Sequence, residues 1–203
     1  MMSALLLKDW YMARKCCGSF LFVVLVFLGL SFVSSNVIFY TYPCMMTGLL
    51  PYTLYSYDER EKFSDFCASM PVSRRQYVSE KYVFGLIASA AAAVLTLIAA
   101  LLNSNTGTEE ILPMLSVAAV AALVSQAVML PFGFKFGVEK GRILFIAVVA
   151  VLFAVFYIFM TPEVLGTFTL DAKSFCIIAL AVSILLFTAS WLISQKVYEN
   201  KEF

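Results

Sequence analysis

The residues YVFGLIASAAAAVLTLIAALL, from Tyr82 to Leu102, form an unbroken apolar run whose only polar side chains carry hydroxyl groups. An α-helix rises about 1.5 Å per residue, so about 20 such residues cross the ~30 Å hydrocarbon core of a bilayer. The whole chain is 62% hydrophobic and only 13% charged, whereas about a quarter of the residues in a soluble domain are charged. We therefore expect an all-α, polytopic membrane protein.

Five further segments have a similar length and contain no charged side chain. The six predicted transmembrane helices cover residues 18–35, 40–57, 82–102, 111–132, 143–160 and 174–194. The turn between the first two must lie within SSNVIFYTYP, and Pro43 suits the first turn of the second helix. Charged groups inside a bilayer usually mark proton or ion pathways, so their absence from the six predicted helices argues against an ion-coupled pump.

The basic residues predict the orientation of these six helices. Thirteen of the fourteen Lys and Arg residues fall on one side of the membrane, and only Lys173 falls on the other. The positive-inside rule places the side with thirteen in the cytoplasm. We therefore expect a multi-pass protein of the cell membrane with both termini cytoplasmic and with short outer loops. Residues 1–203 are predicted to form a single transmembrane domain.

Residues 1–17 precede the first predicted span, and no signal-peptide cleavage site clearly follows that span. Helical spacing places Leu6, Trp10 and Ala13 on one face, while the charged side chains lie largely elsewhere. This pattern predicts a short helix lying in the inner membrane interface, and an N-terminal extension of the first span is the alternative. The charged side chains off this face are Lys8, Asp9 and Lys15.

The composition excludes several kinds of site. The chain has no histidine, which removes Ser-His and Cys-His catalytic pairs and the common zinc sites. Its five cysteines form no CxxC motif and are read as packing residues. We predict no catalytic residue, metal or cofactor, and a net charge of +1 gives no reason to expect nucleic acid as a partner.

The loop between the second and third predicted helices is DEREKFSDFCASMPVSRRQYVSEK, residues 58–81. Phe63, Phe66, Cys67 and Met70 follow helical spacing and predict one apolar stripe on a first short helix. Pro71 then blocks the continuation of that helix. The charged residues predicted to lie largely off the stripe are Asp58, Glu59, Glu61, Lys62 and Asp65.

The second half of this loop predicts a helix that restarts and enters the third span. Ser73 is followed three residues later by Gln76, which is the spacing of a capping box. The resulting helix-corner-helix is too short for a catalytic domain and too regular for a slack linker. Two interpretations remain: the stripe lies on the membrane while the basic residues hold lipid head groups, or the corner docks into a cytoplasmic partner.

Two stretches resemble loops of small type-2 ATP-binding-cassette (ABC) transporter permeases of the export class. In the first loop, DEREKFSDF and MPVSRRQYVSEKY are similar to a pattern of an acidic start, an aromatic residue, Leu-Pro-Val-Ser-Arg and a downstream Lys-Tyr. Phe63 stands where Trp is common and Met70 where Leu is common. PFGFKFGVEKGR, residues 131–142, resembles the loop between spans four and five. The phenol-soluble-modulin exporter permeases of Gram-positive bacteria look most similar.

The resemblance implies that ATP is hydrolysed by a separate ATPase subunit, and this sequence contains no G-x-x-x-x-G-K-[ST] phosphate-binding loop. It further implies two permeases, identical or related, around one pathway, with a coupling helix in the first cytoplasmic loop. The residues implied for that coupling loop are Glu59, Phe63, Phe66, Met70, Pro71, Arg74, Arg75 and Tyr77. Those implied for the second cytoplasmic loop, 133–142, are Lys135, Gly137, Glu139, Lys140 and Arg142.

Other functions are compatible with parts of this pattern. A non-transporting scaffold or immunity protein would use the same spans and anchor its loops to lipid, and the second loop alone could be a simple positive-inside anchor. A membrane-embedded enzyme is a weaker alternative, because the predicted spans offer no acid, base or histidine. The small residues of the third and fourth spans allow close helix packing, either within the subunit or at a dimer interface.

Overall fold

The computed structural model describes residues 2–16, 18–33, 37–63, 66, 73–103, 108–143, 146–147 and 172–200. Six long helices run through this part of the chain: α1 (Met2–Cys16), α2 (Gly18–Val33), α3 (Val37–Arg60), α4 (Arg74–Leu102), α5 (Thr108–Phe136) and α6 (Ala172–Glu199). The described residues contain no β-strand. The all-α prediction is therefore confirmed.

Three of these helices are long and apolar enough to cross a membrane: Arg74–Leu102, Ile111–Phe136 and Cys176–Glu199. They coincide with the third, fourth and sixth predicted spans. A shorter apolar helix covers Phe22–Ser31, inside the first predicted span. Most of the fifth predicted span, 143–160, lies outside the described residues. The apolar helices are those of a membrane protein, while the count of six spans stays a prediction.

The small side chains of α4 face the rest of the protein. Gly85, Ser89, Ala92, Thr96 and Ala99 are buried at helical spacing, whereas large apolar side chains on the opposite face are exposed. Small residues allow helix backbones to approach closely in a membrane, where lipid is as apolar as leucine. This seam of α4 therefore packs within the chain, against α3 and α5. The exposed large side chains include Ile87, Val94, Ile98 and Leu101.

The helix predicted for residues 1–17 is present as α1, and a separate helix, α2, follows it. The structure adds a buried carboxylate to the faces predicted for this helix. Asp9 is fully buried, together with Leu5 one turn earlier, while Trp10 is 58% exposed. The reason is electrostatic, because a basic side chain inside the protein pairs with Asp9. Amphipathic spacing predicted only that this carboxylate lies off the face of Leu6, Trp10 and Ala13.

The start of α3 also differs from the prediction. The helix begins at Val37, so Pro43 lies in its second turn and not in its first. A proline removes one backbone donor inside a helix, and α3 contains a second one, Pro51. The hydroxyl of Thr47 donates to the carbonyl oxygen of Pro43 over 3.1 Å. Residues 34–36, between α2 and α3, lie outside the described residues.

An aromatic cluster fixes the ends of α3, α4, α5 and α6 relative to one another. Phe134 of α5 packs edge-on against Tyr55 of α3 and against Tyr198 of α6, with ring centroids 4.7 and 5.4 Å apart. The ring of Tyr198 also stacks on Tyr77 of α4 at 5.4 Å. All four rings are buried. The cluster therefore holds the four helix ends from which the charged loops emerge.

Hydroxyl groups join α4 to α6 within the apolar part of the protein. The hydroxyl of Tyr82 lies 2.8 Å from that of Ser190 and 2.7 Å from that of Ser194. Ser190 also donates to the carbonyl oxygen of Ala127 in α5 over 2.7 Å. Buried polar groups are tolerated where they find such partners. These bonds fix α6 against α4 and α5 one turn away from the aromatic cluster.

Candidate functional site

The loop 58–81 begins as a continuation of α3 and ends as the start of α4. Helix α3 extends to Arg60, and Lys62 then adopts a left-handed conformation with φ 52°, which ends the helix. Ser73 caps α4: its side chain accepts from the backbone N–H of Gln76, whose side chain accepts from the backbone N–H of Ser73. The predicted capping box and the helix running into the third span are confirmed. Met70 and Pro71 lie outside the described residues.

A buried cluster of ion pairs lies at the base of this loop. Lys81 Nζ is 2.5 Å from Asp9 Oδ2 and 2.7 Å from Asp58 Oδ2. Lys8 Nζ is 2.8 Å from Asp58 Oδ1 and 3.1 Å from Asp9 Oδ1. We call these four residues, together with Glu80, the ionic junction. It joins α1, the end of α3 and the start of α4 at one point.

Most side chains of the ionic junction are buried, so their charges need partners inside the protein. The side chains of Asp9, Glu80 and Lys81 have no exposed surface, and that of Asp58 is 1% exposed. Buried charges are stable only when they are paired, and removing one partner leaves the other uncompensated. Asp58, which we expected off the apolar stripe, turns its carboxylate inward to two lysines.

The junction contains three carboxyl groups and two ammonium groups. Glu80 is buried beside this network, with an oxygen 3.7 Å from Lys81 Nζ. Burial opposes ionisation of Asp9, but Lys81 and Lys8 outweigh it and hold the pKa of Asp9 below its ordinary value. Full ionisation would leave one negative charge in excess, so a proton bound at Glu80 would balance the cluster.

Three aromatic residues predicted for the coupling loop occupy different environments. Tyr77 is 1% exposed, and its hydroxyl donates to Asp58 Oδ2 over 2.9 Å. Phe63 is partly buried under Lys8, whose Nζ lies 3.8 Å from the ring centroid. Phe66 is 57% exposed, with its ring centroid 6.0 Å from that of Phe63. Of the two phenylalanines in the predicted stripe, Phe63 therefore packs against the protein and Phe66 is exposed.

The two arginines that open α4 contact the end of α6. Arg74 donates to the backbone carbonyl oxygen of Glu199 over 2.7 Å, and Arg75 pairs with the carboxylate of the same residue. Both arginines lie at the surface. An exposed ion pair contributes little to stability, so these contacts position the last turn of α6 beside the loop without fixing it rigidly.

The second loop folds back on α5 at a glycine. Gly137 has φ +79°, a conformation that favours glycine, and a short helix, 138–143, follows it. The carboxylate of Glu59 accepts from the backbone N–H of Val138 over 2.8 Å, at the start of that helix. The hydroxyl of Tyr52 donates to the carbonyl oxygen of Val138 over 2.6 Å. Glu59 therefore ties the first loop to the second.

The remaining residues predicted for the second loop lie around this turn. Lys135, Glu139, Lys140 and Arg142 are exposed. A polar cavity of about 450 Å³ lies between the end of α3 and residues 136–142, and its lining includes Glu59 and Arg142. The structure thus brings Glu59 of the first loop together with this second set, although no motif links them.

Comparison with known protein families places the chain in one of them. A family described as ABC-2 family transporter protein matches residues 4–199, nearly the whole chain. The chain belongs to the ABC-2 transporter family. No curated protein and no solved structure matches it. ABC-2 family membership confirms the predicted ABC transporter permease, and it implies association with an ABC ATPase and a membrane. The ABC-2 protein is a membrane component and is not itself catalytic.

Sequence reasoning missed the ionic junction of this ABC-2 protein. Lys8, Asp9 and Asp58 were each noted, but no local spacing connects them with Glu80 or Lys81. One signal was available: Asp9 lies one helical turn after Leu5, on the face of α1 that packs inward. A carboxylate on an inward face requires a buried cation, and Lys81 is the residue directly before the apolar run of α4.

Proposed function

We propose that this chain is the permease subunit of an ATP-driven ABC exporter and forms half of the translocation pathway. In this proposal a separate ATPase subunit binds the loop 58–81, and its ATP-driven motion is transmitted to the helices through the ionic junction. Residues 1–203 act as one permease domain in the cell membrane, with six spans and both termini cytoplasmic. The resemblance to phenol-soluble-modulin exporter permeases favours export as the direction of transport.

The observation that carries this proposal is the ionic junction. A loop that transmits force must be joined rigidly to more than one helix, because a flexible attachment would absorb the displacement. Lys81 is the first link, since it lies at the start of α4 and pairs with carboxylates of α1 and α3. A push on the loop would therefore move three helices together. The fully buried location of the pairs means that they are screened little by water or salt.

Phe66 is the side chain best placed to contact the ATPase. It is the exposed member of the aromatic pair, while Phe63 is held under Lys8. Exposed aromatic side chains are frequent anchors of protein interfaces. Tyr77 is buried, so its part in coupling is to hold Asp58. We propose that Met70 and Pro71 form the corner near Phe66.

Arg74 and Arg75 have a proposed role at the rim of this interface. Their exposed guanidinium groups contact Glu199 and could orient an acidic surface of the ATPase by long-range attraction. The last turn of α6 would then sense whether the ATPase is bound. Charges at a rim act mainly through association rate and salt dependence.

The second loop is proposed as a second contact with the ATPase. Lys135, Glu139, Lys140 and Arg142 are exposed around the turn at Gly137. Glu59 connects this turn to the end of α3, so both loops would respond to one displacement. Two permeases, identical or related, would surround the pathway. Membership of a transporter family disfavours the scaffold and immunity alternatives.

Purification of the chain from its native membranes tests this function. The tagged chain should recover, in a mild detergent, a protein that contains a phosphate-binding loop and that hydrolyses ATP. A variant with Arg74→Glu and Arg75→Glu should recover less of this protein, with a loss that grows as the salt concentration falls. Recovery of no ATPase by the wild-type chain, with the chain correctly inserted, would contradict the proposal.

A further inference from the structure

An apolar groove of about 370 Å³ opens between α1, α2, α3 and α4. Its floor includes Ala88, Ala91 and Leu95, which follow one another on a single face of α4. Thr47 lines it from α3, but its hydroxyl already donates to backbone carbonyl oxygens within that helix. Because its polar lining atoms are few, the groove suits a hydrocarbon chain better than a polar ligand.

The length of the groove matches one leaflet of a bilayer. Its lining residues on α4 extend from Phe84 to Leu95, which corresponds to about 16 Å of helix. Half of the hydrocarbon core of a bilayer measures about 15 Å. Phe84 follows the ionic junction, while Leu95 lies deep in the apolar part of α4. The groove thus runs from the surface of the membrane toward its middle.

The end of the groove at α1 carries a positive charge. Arg14 lines it from α1 and is the one charged side chain among the described residues around it. Trp10, 58% exposed, lines the same end, and tryptophan prefers the level of lipid head groups. An arginine guanidinium binds a phosphate with two parallel hydrogen bonds. Charge and apolar surface are therefore arranged as the head group and acyl chain of a phospholipid require.

We propose that this groove binds one anionic phospholipid from the leaflet next to α1, with an acyl chain along Ala88, Ala91 and Leu95 and its head group at Arg14. The bound lipid would fill the space between α1 and α4, beside the ionic junction. A zwitterionic lipid can also place its chain in the groove, but its ammonium group opposes the charge of Arg14. Preference for anionic lipid is therefore the property that distinguishes a site from ordinary contact with the bilayer. This site does not depend on the proposed ATPase.

Quenching of Trp10 fluorescence by lipids with brominated acyl chains tests the proposal. The chain contains two tryptophans, Trp10 and Trp191, so Trp191→Phe leaves one reporter at the groove. The protein is placed in phosphatidylcholine vesicles that contain a minor fraction of brominated phosphatidylglycerol, or the same fraction of brominated phosphatidylcholine. We expect the anionic lipid to quench Trp10 more strongly. Arg14→Gln should abolish this difference, and Lys15→Gln, one residue further along the same helix, should preserve it.

A second pair of variants separates the groove from the general surface of α4. Ala91→Phe should fill the groove and remove the preference, whereas Ala90→Phe adds the same ring at an exposed neighbour outside the lining and should leave it intact. Equal quenching by the two lipids in the Trp191→Phe protein would overturn the proposal. Weak quenching by both lipids would also overturn it, because a second copy of the chain or a peptide would then cover Trp10.

Discussion

Lys81 and Asp9 are paired although they lie 72 residues apart in the chain, with Nζ 2.5 Å from Oδ2 and neither side chain exposed. Lys81 begins the apolar part of α4, and Asp9 is in the middle of α1. The pair therefore connects the N-terminal helix to the helix that leaves the charged loop. In the proposed coupling path, the ionic junction therefore joins the loop 58–81 to α1 as well as to α4.

Replacement of Lys81 by methionine should destabilise the protein strongly. Breaking a buried pair by removing one partner costs on the order of 3–5 kcal/mol, and here it leaves both Asp9 and Asp58 without their closest cation. Thermal unfolding in a fixed detergent measures the effect. Arg75→Gln is the control, because its partner, Glu199, is reached at the surface, and its unfolding should stay near that of the wild type. Equal midpoints for Lys81→Met and the wild type would refute the structural role of the junction.

The stability that Asp9 contributes should disappear at acid pH. Its pKa is held below the ordinary value of 3.8 by Lys81 and Lys8 against the effect of burial. A carboxylate with a depressed pKa stabilises the fold above its ordinary value, and this contribution is lost as pH falls through the folded-state pKa. The difference in unfolding temperature between the wild type and Asp9→Asn should therefore shrink as the pH falls below about 4.

The comparison with Asp9→Asn is essential, because this variant removes the charge of Asp9 and nearly keeps the size of its side chain. Asp58 keeps both of its lysine partners in the variant, so the difference between the two proteins reports the loss of the Asp9 carboxylate. A gap between the two proteins that widened as the pH fell below 4 would show that Asp9 is not stabilised as a carboxylate.

Gly141→Ala should disrupt the turn of the second loop. A Cβ atom at this position would lie 2.9 Å from the Tyr52 hydroxyl and 3.1 Å from the backbone nitrogen of Gly133. The backbone of α5 cannot move aside easily, so the variant should unfold at a lower temperature. Gly29→Ala is the matched control in α2, where a Cβ would meet nothing within 4 Å. There alanine should be neutral or stabilising by about 0.5–1 kcal/mol, and equal losses in the two variants would contradict this packing.

Local signals in the sequence were sufficient for the start of α4 and for the long apolar helices. Ser73 and Gln76 predicted the start of α4 because a capping box depends only on residues three apart. The apolar runs predicted the helices that are long enough to span a membrane. The start of α3 was misplaced, because the helix begins at Val37 and therefore contains Pro43 in its second turn.

Long-range electrostatics could not be predicted in the same way. The burial of Asp9 and Asp58 depends on Lys81, and helical spacing cannot reveal a partner on another helix. The link from Glu59 to Val138 is equally remote from any motif, since it caps a helix 79 residues further along the chain. The resemblance to the permease family pointed to both loops, but the contact between them follows only from the packing of α3 on α5.

Cysteine labelling should establish the orientation in the membrane. In a background without the five native cysteines, single cysteines at Ser64 and Asn200 should react only after the membrane is opened. Single cysteines at Thr106 and Thr167 should react from outside intact cells, because the positive-inside rule places their loops there. Labelling of the cysteine at Ser64 in intact cells would contradict a cytoplasmic loop 58–81.

The coupling role proposed for the loop 58–81 is tested most directly by the amount of ATPase recovered per permease when Phe66 is changed. Phe66→Asp places a charge where we expect an apolar contact, and burying an unpaired charge is unfavourable by several kcal/mol. The exposed position of Phe66 leaves the ionic junction and the membrane helices untouched, so insertion should be normal. The Phe66→Asp variant should lose most of the bound ATPase, while Phe66→Leu should retain it. Recovery of the ATPase at wild-type levels by Phe66→Asp would contradict the coupling role of this loop.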